Sequence, residues 1–88
     1  MKIKDGFVKR NIAGSDIVVP VGKNASEFNG MITLNESGAF FWDCLIKETT
    51  AEDVVAKVLE VYEVTPEKAA EDVNKFISML RENDLLDE

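Results

Sequence analysis

Few side chains in this sequence could do covalent chemistry, and none has a neighbour suited to activate it. Histidine is absent from all 88 residues, which removes His-based nucleophile activation and imidazole metal ligation together. The one cysteine, Cys44, lies between Asp43 and Leu45 on an aromatic-rich stretch, and apolar surroundings hold a thiol protonated and inert. Ser37 stands at the start of an expected helix, where an acidic carrier protein would hold its phosphopantetheine arm. Such a serine is usually set in Asp-Ser-Leu, whereas Ser37 is set between Glu36 and Gly38, beside the bulky run Phe40, Phe41, Trp42. The seventeen carboxylates are scattered over helix surfaces, where a run of charge is a solvated face. Gly14, Gly22, Gly30 and Gly38 are spaced for turns and packing, not for cradling a phosphate. No catalysis, metal or cofactor is expected of this chain.

What remains is backbone chemistry beside an apolar surface. Met31, Ile32, Thr33 and Leu34 read as a short strand that runs into Asn35 and then into a helix. If the strands form a meander, this one is an edge, with N–H and C=O groups available to another chain. An extended peptide could add there as a further strand. A plain alternative is that the same edge is covered or joined to a second copy in a homodimer.

The elements that must position this edge follow from pattern and punctuation. Strands over 7–13 and 16–21 read as a hairpin about Gly14 and Ser15, with a II′ turn. Pro20 cannot donate to a ladder and marks the end of regular pairing. Residues 22–30 form a polar connection closed by the turn signal Asn29-Gly30, with Phe28 capping a core edge. Asn35 suits an N-cap for a helix over 36–47. Phe41, Trp42, Leu45 and Ile46 form its buried stripe, and Gly38 allows close approach. Thr50 opens a second helix over 51–62, with Val54, Val55, Val58, Leu59 and Tyr62 inward. Thr65-Pro66 opens a third over 66–83, lined by Ala69, Ala70, Val73, Phe76, Ile77 and Leu80. Met79 falls outside that stripe on the side of Phe76, flanked by Asp72 and Lys75, a candidate groove wall. The expectation is one α+β domain over 1–88, with a three-stranded N-terminal antiparallel sheet followed by three α-helices.

Charge narrows the partner. Residues 1–35 carry a net +2 and residues 36–88 a net −9, within a total of −7. The helical half is the acidic half, which repels a polyanion and attracts a basic peptide. Three helices with a small sheet could be a winged-helix DNA reader, but that task needs Lys and Arg on the reading helix. The second helix sums to −2, and so does the stretch from Glu67 to Asp84 that holds the third, so nucleic acid is not an expected partner. No apolar run approaches a bilayer span, and the start has no apolar stretch of signal-peptide type. A cytoplasmic protein without a membrane partner is expected.

Several of these residues together resemble a known family. Val8-Lys9-Arg10 with Gly14, Leu34-Asn35 followed by Gly38-Ala39 and Trp42, and Thr50 before the second helix all match. So do Asp72-Val73, Phe76-Ile77, Leu80 and the closing Leu85-Leu86. In order and spacing they are similar to the pyrroloquinoline quinone biosynthesis protein D family, the stand-alone form of the precursor-peptide recognition element. The resemblance implies a winged-helix-like fold that binds a leader peptide rather than DNA. The peptide would pair with Met31, Ile32, Thr33 and Leu34 and lie against Asp72, Lys75, Phe76 and Met79. It also implies a partner enzyme, a radical S-adenosylmethionine maturase or another peptide-modifying enzyme. The family often has Gly before the final hydrophobic pair, where this chain has Asp84; Asn83 or Asp84 would then adopt a left-handed cap at some cost.

Overall fold

A computed structural model of the chain describes residues 1–22 and 32–88. Along them the order is β1 (Lys2–Ile3), β2 (Phe7–Ile12), β3 (Ser15–Pro20), β4 (Ile32–Leu34), α1 (Glu36–Leu45), α2 (Ala51–Val61), α3 (Pro66–Glu82) and β5 (Leu86–Asp87). The α+β architecture read from the sequence is the one found. Met31, Phe28 and the Asn29-Gly30 turn lie outside the described residues.

The hairpin turn differs from expectation by one residue. Ile12 faces Ser15, so the turn is Ala13-Gly14, with both residues in the left-handed region at φ 53° and 84°. That is the I′ combination, whose twist matches the flanking strands. Gly14 accepts its conformation freely, whereas Ala13 strains against its own Cβ. Ala13→Asn creates the preferred I′ pair Asn-Gly. It is expected to raise stability by about 0.5–1 kcal/mol, read as a melting temperature about 4 °C higher.

β2, β3 and β4 form a three-stranded antiparallel meander. β3 ends at Pro20 rather than Val21, although Val21 N–H still donates to Gly6 C=O at 2.8 Å. A second, two-stranded sheet was not anticipated. β1 pairs with β5, Ile3 facing Leu86, which ties the start of the chain to the segment after α3. Two-residue strands are too short for any periodicity to betray them.

All three helix starts are capped as their sequences suggest. Asn35 Oδ1 accepts Gly38 N–H at 2.7 Å, and Thr50 and Thr65 Oγ1 accept Asp53 and Lys68 N–H at 3.2 Å. α1 stops at Leu45, two residues short of expectation, and Ile46 is 55% exposed instead of joining the stripe. Leu59 is 38% exposed and lies off the inner face of α2, whose buried residues are Val54 and Val58. Trp42, Leu45, Val54, Val73, Leu80, Leu85 and Val18 are essentially sealed from solvent in one cluster.

The end of α3 is a Schellman motif. Leu85 N–H reaches Leu80 C=O at 2.9 Å and Asp84 N–H reaches Arg81 C=O at 3.1 Å, while Leu80 and Leu85 pack in the core. Asp84 holds the left-handed position at φ 59°. Asp84→Gly relieves that strain and removes a carboxylate from a helix C-terminus. It forfeits an exposed ion pair to Lys4 (2.7 Å), a kind worth little. The melting temperature is expected to rise by about 4 °C, for a net gain of roughly 1 kcal/mol.

Candidate functional site

The ladder decides which backbone groups of β4 face outward. In an antiparallel pair, bonded and non-bonded positions alternate. The bond from Val21 N–H to Gly6 C=O sets the phase, so Val8–Val19, Arg10–Ile17 and Ile12–Ser15 exchange bonds across β2 and β3. Ile17 therefore points its backbone at β2, while Asp16 and Val18 point theirs at β4. Their partners Leu34 and Ile32 bond inward, which turns both backbone groups of Thr33 away from β3. The same phase turns the nitrogen of Pro20 away from β2, so the β2–β3 ladder loses no donor there.

Among the described residues β4 is an edge, with β3 on one side only. Thr33 is exposed, Ile32 is half-buried against the core and Leu34 is buried. Side chains on the face shared by Ile32 and Leu34 pack toward the helices, as alternation requires.

Beside this edge lies an open groove. One depression, about 210 Å³, is bounded by Thr33 and Leu34 on β4, Asn35 and Gly38 at the start of α1, and Phe76 and Met79 on α3. It continues into a second of about 360 Å³, which adds Ser37, Phe41, Asp72 and Lys75. Phe41 and Phe76 meet edge to face at 5.5 Å and form its back wall. Met79 is half-buried at the rim. Asp72 and Lys75 stand on the lip, and each is tied along α3 by an i,i+4 ion pair. Lys68 Nζ lies 3.0 Å from Asp72 and Lys75 Nζ lies 3.1 Å from Glu71. The hydrogen bond and charge of Asp72 push the Lys68 ammonium pKa upward. The walls are thus apolar, and their charged lip is locally compensated.

Seven of the eight residues singled out from the sequence are described. Thr33, Leu34, Asp72, Lys75, Phe76 and Met79 line this one groove, with Ile32 on the same strand; Met31 lies outside the described residues. Sequence reasoning missed Asn35, Ser37, Gly38 and Phe41 as groove residues. Their signals were present and were read otherwise, as cap, carrier serine, packing glycine and core aromatic. A larger cavity, about 430 Å³, lies between β1, β2 and α1, and it shares no lining residue with the groove. Cys44 is half-buried, and burial raises its thiol pKa, so it is a poor nucleophile. Among the described residues no helix is long and apolar enough to cross a membrane.

Two solved structures share this fold. TbiB1 in complex with the TbiA(beta) leader peptide is similar over 99% of this chain and 95% of that one, with a TM-score of 0.77 and 22% identity. Lasso peptide synthetase B1 complexed with the leader peptide is similar over 96% of this chain and 93% of that one, with a TM-score of 0.73 and 18% identity. At these identities the likeness is one of fold. No curated protein matches the sequence. The family model for coenzyme PQQ synthesis protein D (PqqD) matches residues 17–86, from the second strand of the hairpin to the closing Leu85-Leu86 pair. The chain belongs to the PqqD family.

Proposed function

We propose that this chain is a peptide-recognition domain, spanning 1–88, that binds the leader segment of a ribosomally made precursor and presents it to a modifying enzyme. The observation that carries the reading is the outward-facing Thr33 backbone set beside the Phe41–Phe76–Met79 groove. Strand addition at β4 satisfies backbone groups with little demand on sequence, and the groove selects alternate side chains. Both similar structures hold a leader peptide, which supports the same use here. Ile32, Thr33 and Leu34 supply the strand. Phe76 and Met79 supply apolar contact, and Asp72 and Lys75 supply the lip.

The chain contributes no bond-making step in this reading. Chemistry belongs to the partner, a radical S-adenosylmethionine enzyme or another maturase in the cytoplasm. Holding the peptide beside that enzyme raises its effective concentration toward ~1 mM for a short flexible connection. DNA reading has no support: the helices that would face a duplex sum to negative charge, and phosphate contacts need the opposite sign.

Fluorescence anisotropy tests the proposal with the leader half of a candidate precursor peptide, its core half, and a DNA duplex. Saturable binding of the leader half alone is expected. Binding of the duplex, with none of the leader, would overturn the reading.

A further inference from the structure

The floor of the groove is a residue with no side chain. Gly38 is the third residue of α1, is buried, and borders both depressions. It sits in ordinary helix, with no left-handed φ that would demand glycine. Glycine inside a helix sacrifices stability relative to alanine, so its presence calls for a steric reason. A Cβ built on Gly38 would stand 3.0 Å from Asn35 Oδ1, 3.5 Å from Phe76 Cε1 and 3.7 Å from Leu34 Cβ. Those three atoms belong to the helix cap, the groove's aromatic wall and the edge strand. A side chain at 38 would therefore occupy the corner in which all three meet.

Pairing at β4 sends peptide side chains alternately to the two faces of the sheet. The peptide residue opposite Thr33 points its side chain to the exposed face. The residue facing Leu34 points its own toward Gly38, Phe76 and Met79, whichever way the peptide runs. We propose that Gly38 sets the size of that inserted side chain, admitting a bulky apolar group that rests on bare helix backbone. This rests on the peptide-binding reading and adds to it a residue that determines specificity and the class of side chain it selects.

The test is a parallel selection of a phage-displayed library of random linear peptides on the unaltered chain and on Gly38→Ala, with both melting temperatures measured. Peptides from the unaltered chain are expected to share one large apolar position, and those from Gly38→Ala a smaller residue at that position. A cross-titration of the two selected peptides should show each protein preferring its own by about tenfold, the discrimination that a methylene-scale change of pocket size provides. Tighter binding of the smaller peptide to Gly38→Ala is a gain that a damaged protein cannot produce. Identical peptides from both proteins would overturn the role of Gly38 and leave peptide binding intact. A lower melting temperature with unchanged selectivity would also overturn it, assigning the glycine to the Asn35 cap. Failure to select any peptide that Thr33→Pro weakens would overturn the peptide-binding reading itself.

Discussion

With Thr33 replaced by proline, affinity for the leader is expected to fall roughly 30- to 100-fold, or about 2–3 kcal/mol. The substitution deletes the one outward N–H on β4 that the ladder phase identifies. It leaves a peptide carbonyl without its donor, and it places a ring where the added strand must approach. Because that N–H gives nothing to β3, the melting temperature should stay within about 5 °C of the parent. Ile32→Pro is the matched control. Its N–H lies in a bonded pair with Val18, so proline there removes a ladder bond inside the sheet. A drop of more than about 10 °C is expected, from a cost of roughly 3 kcal/mol. Equal melting temperatures for the two proline variants, by differential scanning fluorimetry, would show that the ladder phase is wrong.

Met79→Glu is expected to lower leader affinity about a hundredfold. Met79 is half-buried at the rim of both depressions, so a bound peptide side chain covers what remains. A carboxylate there must be desolvated on binding, a cost of several kcal/mol at most sites, and a solvated Lys75, already shared with Glu71 at 3.1 Å, offsets little of it. The free protein keeps the same side chain hydrated at the rim, so the melting temperature should fall by no more than about 5 °C. Isothermal titration with the leader half of the precursor separates these effects. Undiminished affinity would remove Met79 from the site. Phe76 is a less decisive probe, because it is 9% exposed and packs in the core as well as lining the groove.

The residues that carry this account were legible to different degrees, for physical reasons. Asn35, Thr50 and Thr65 announce helix starts because a cap needs a short side-chain acceptor just before an apolar-periodic run. The α3 stripe announces itself because buried residues recur with the helical period, and Met79 is visible as the apolar residue that breaks from it. The β4 edge follows from strand order alone once the hairpin is recognised. The turn differs by one residue because Gly14 can stand first in a II′ turn or second in a I′ turn, both of which suit strand twist; the pairing of Ile12 with Ser15 selects the second. Helical spacing points Ile46 and Leu59 inward, but α1 stops at Leu45 and the inner face of α2 centres on Val54 and Val58. β1 and β5 could not be read, since their pairing is a contact between chain segments more than eighty positions apart. The floor of the groove was the hardest part. A helix glycine has no chemistry to notice, and only the Cβ distances to Asn35, Phe76 and Leu34 reveal what it leaves open.

β2 offers a useful internal comparison, for it too is a sheet edge among the described residues. By the same ladder phase, Lys9 and Asn11 turn their backbone groups away from β3. Lys9 bears a charged head, 2.9 Å from Asp43 on α1, and lysine on an edge discourages strand addition. β4 has Thr33 at the equivalent place and an apolar groove alongside. The choice between two edges of one sheet is therefore the sharpest statement of the proposed function. Amide hydrogen exchange resolved by residue, with and without the leader half of the precursor, tests it directly. Slowed exchange at Thr33, with Lys9 and Asn11 unchanged, is the expected result; protection at Lys9 and Asn11 with none at Thr33 would contradict capture at β4.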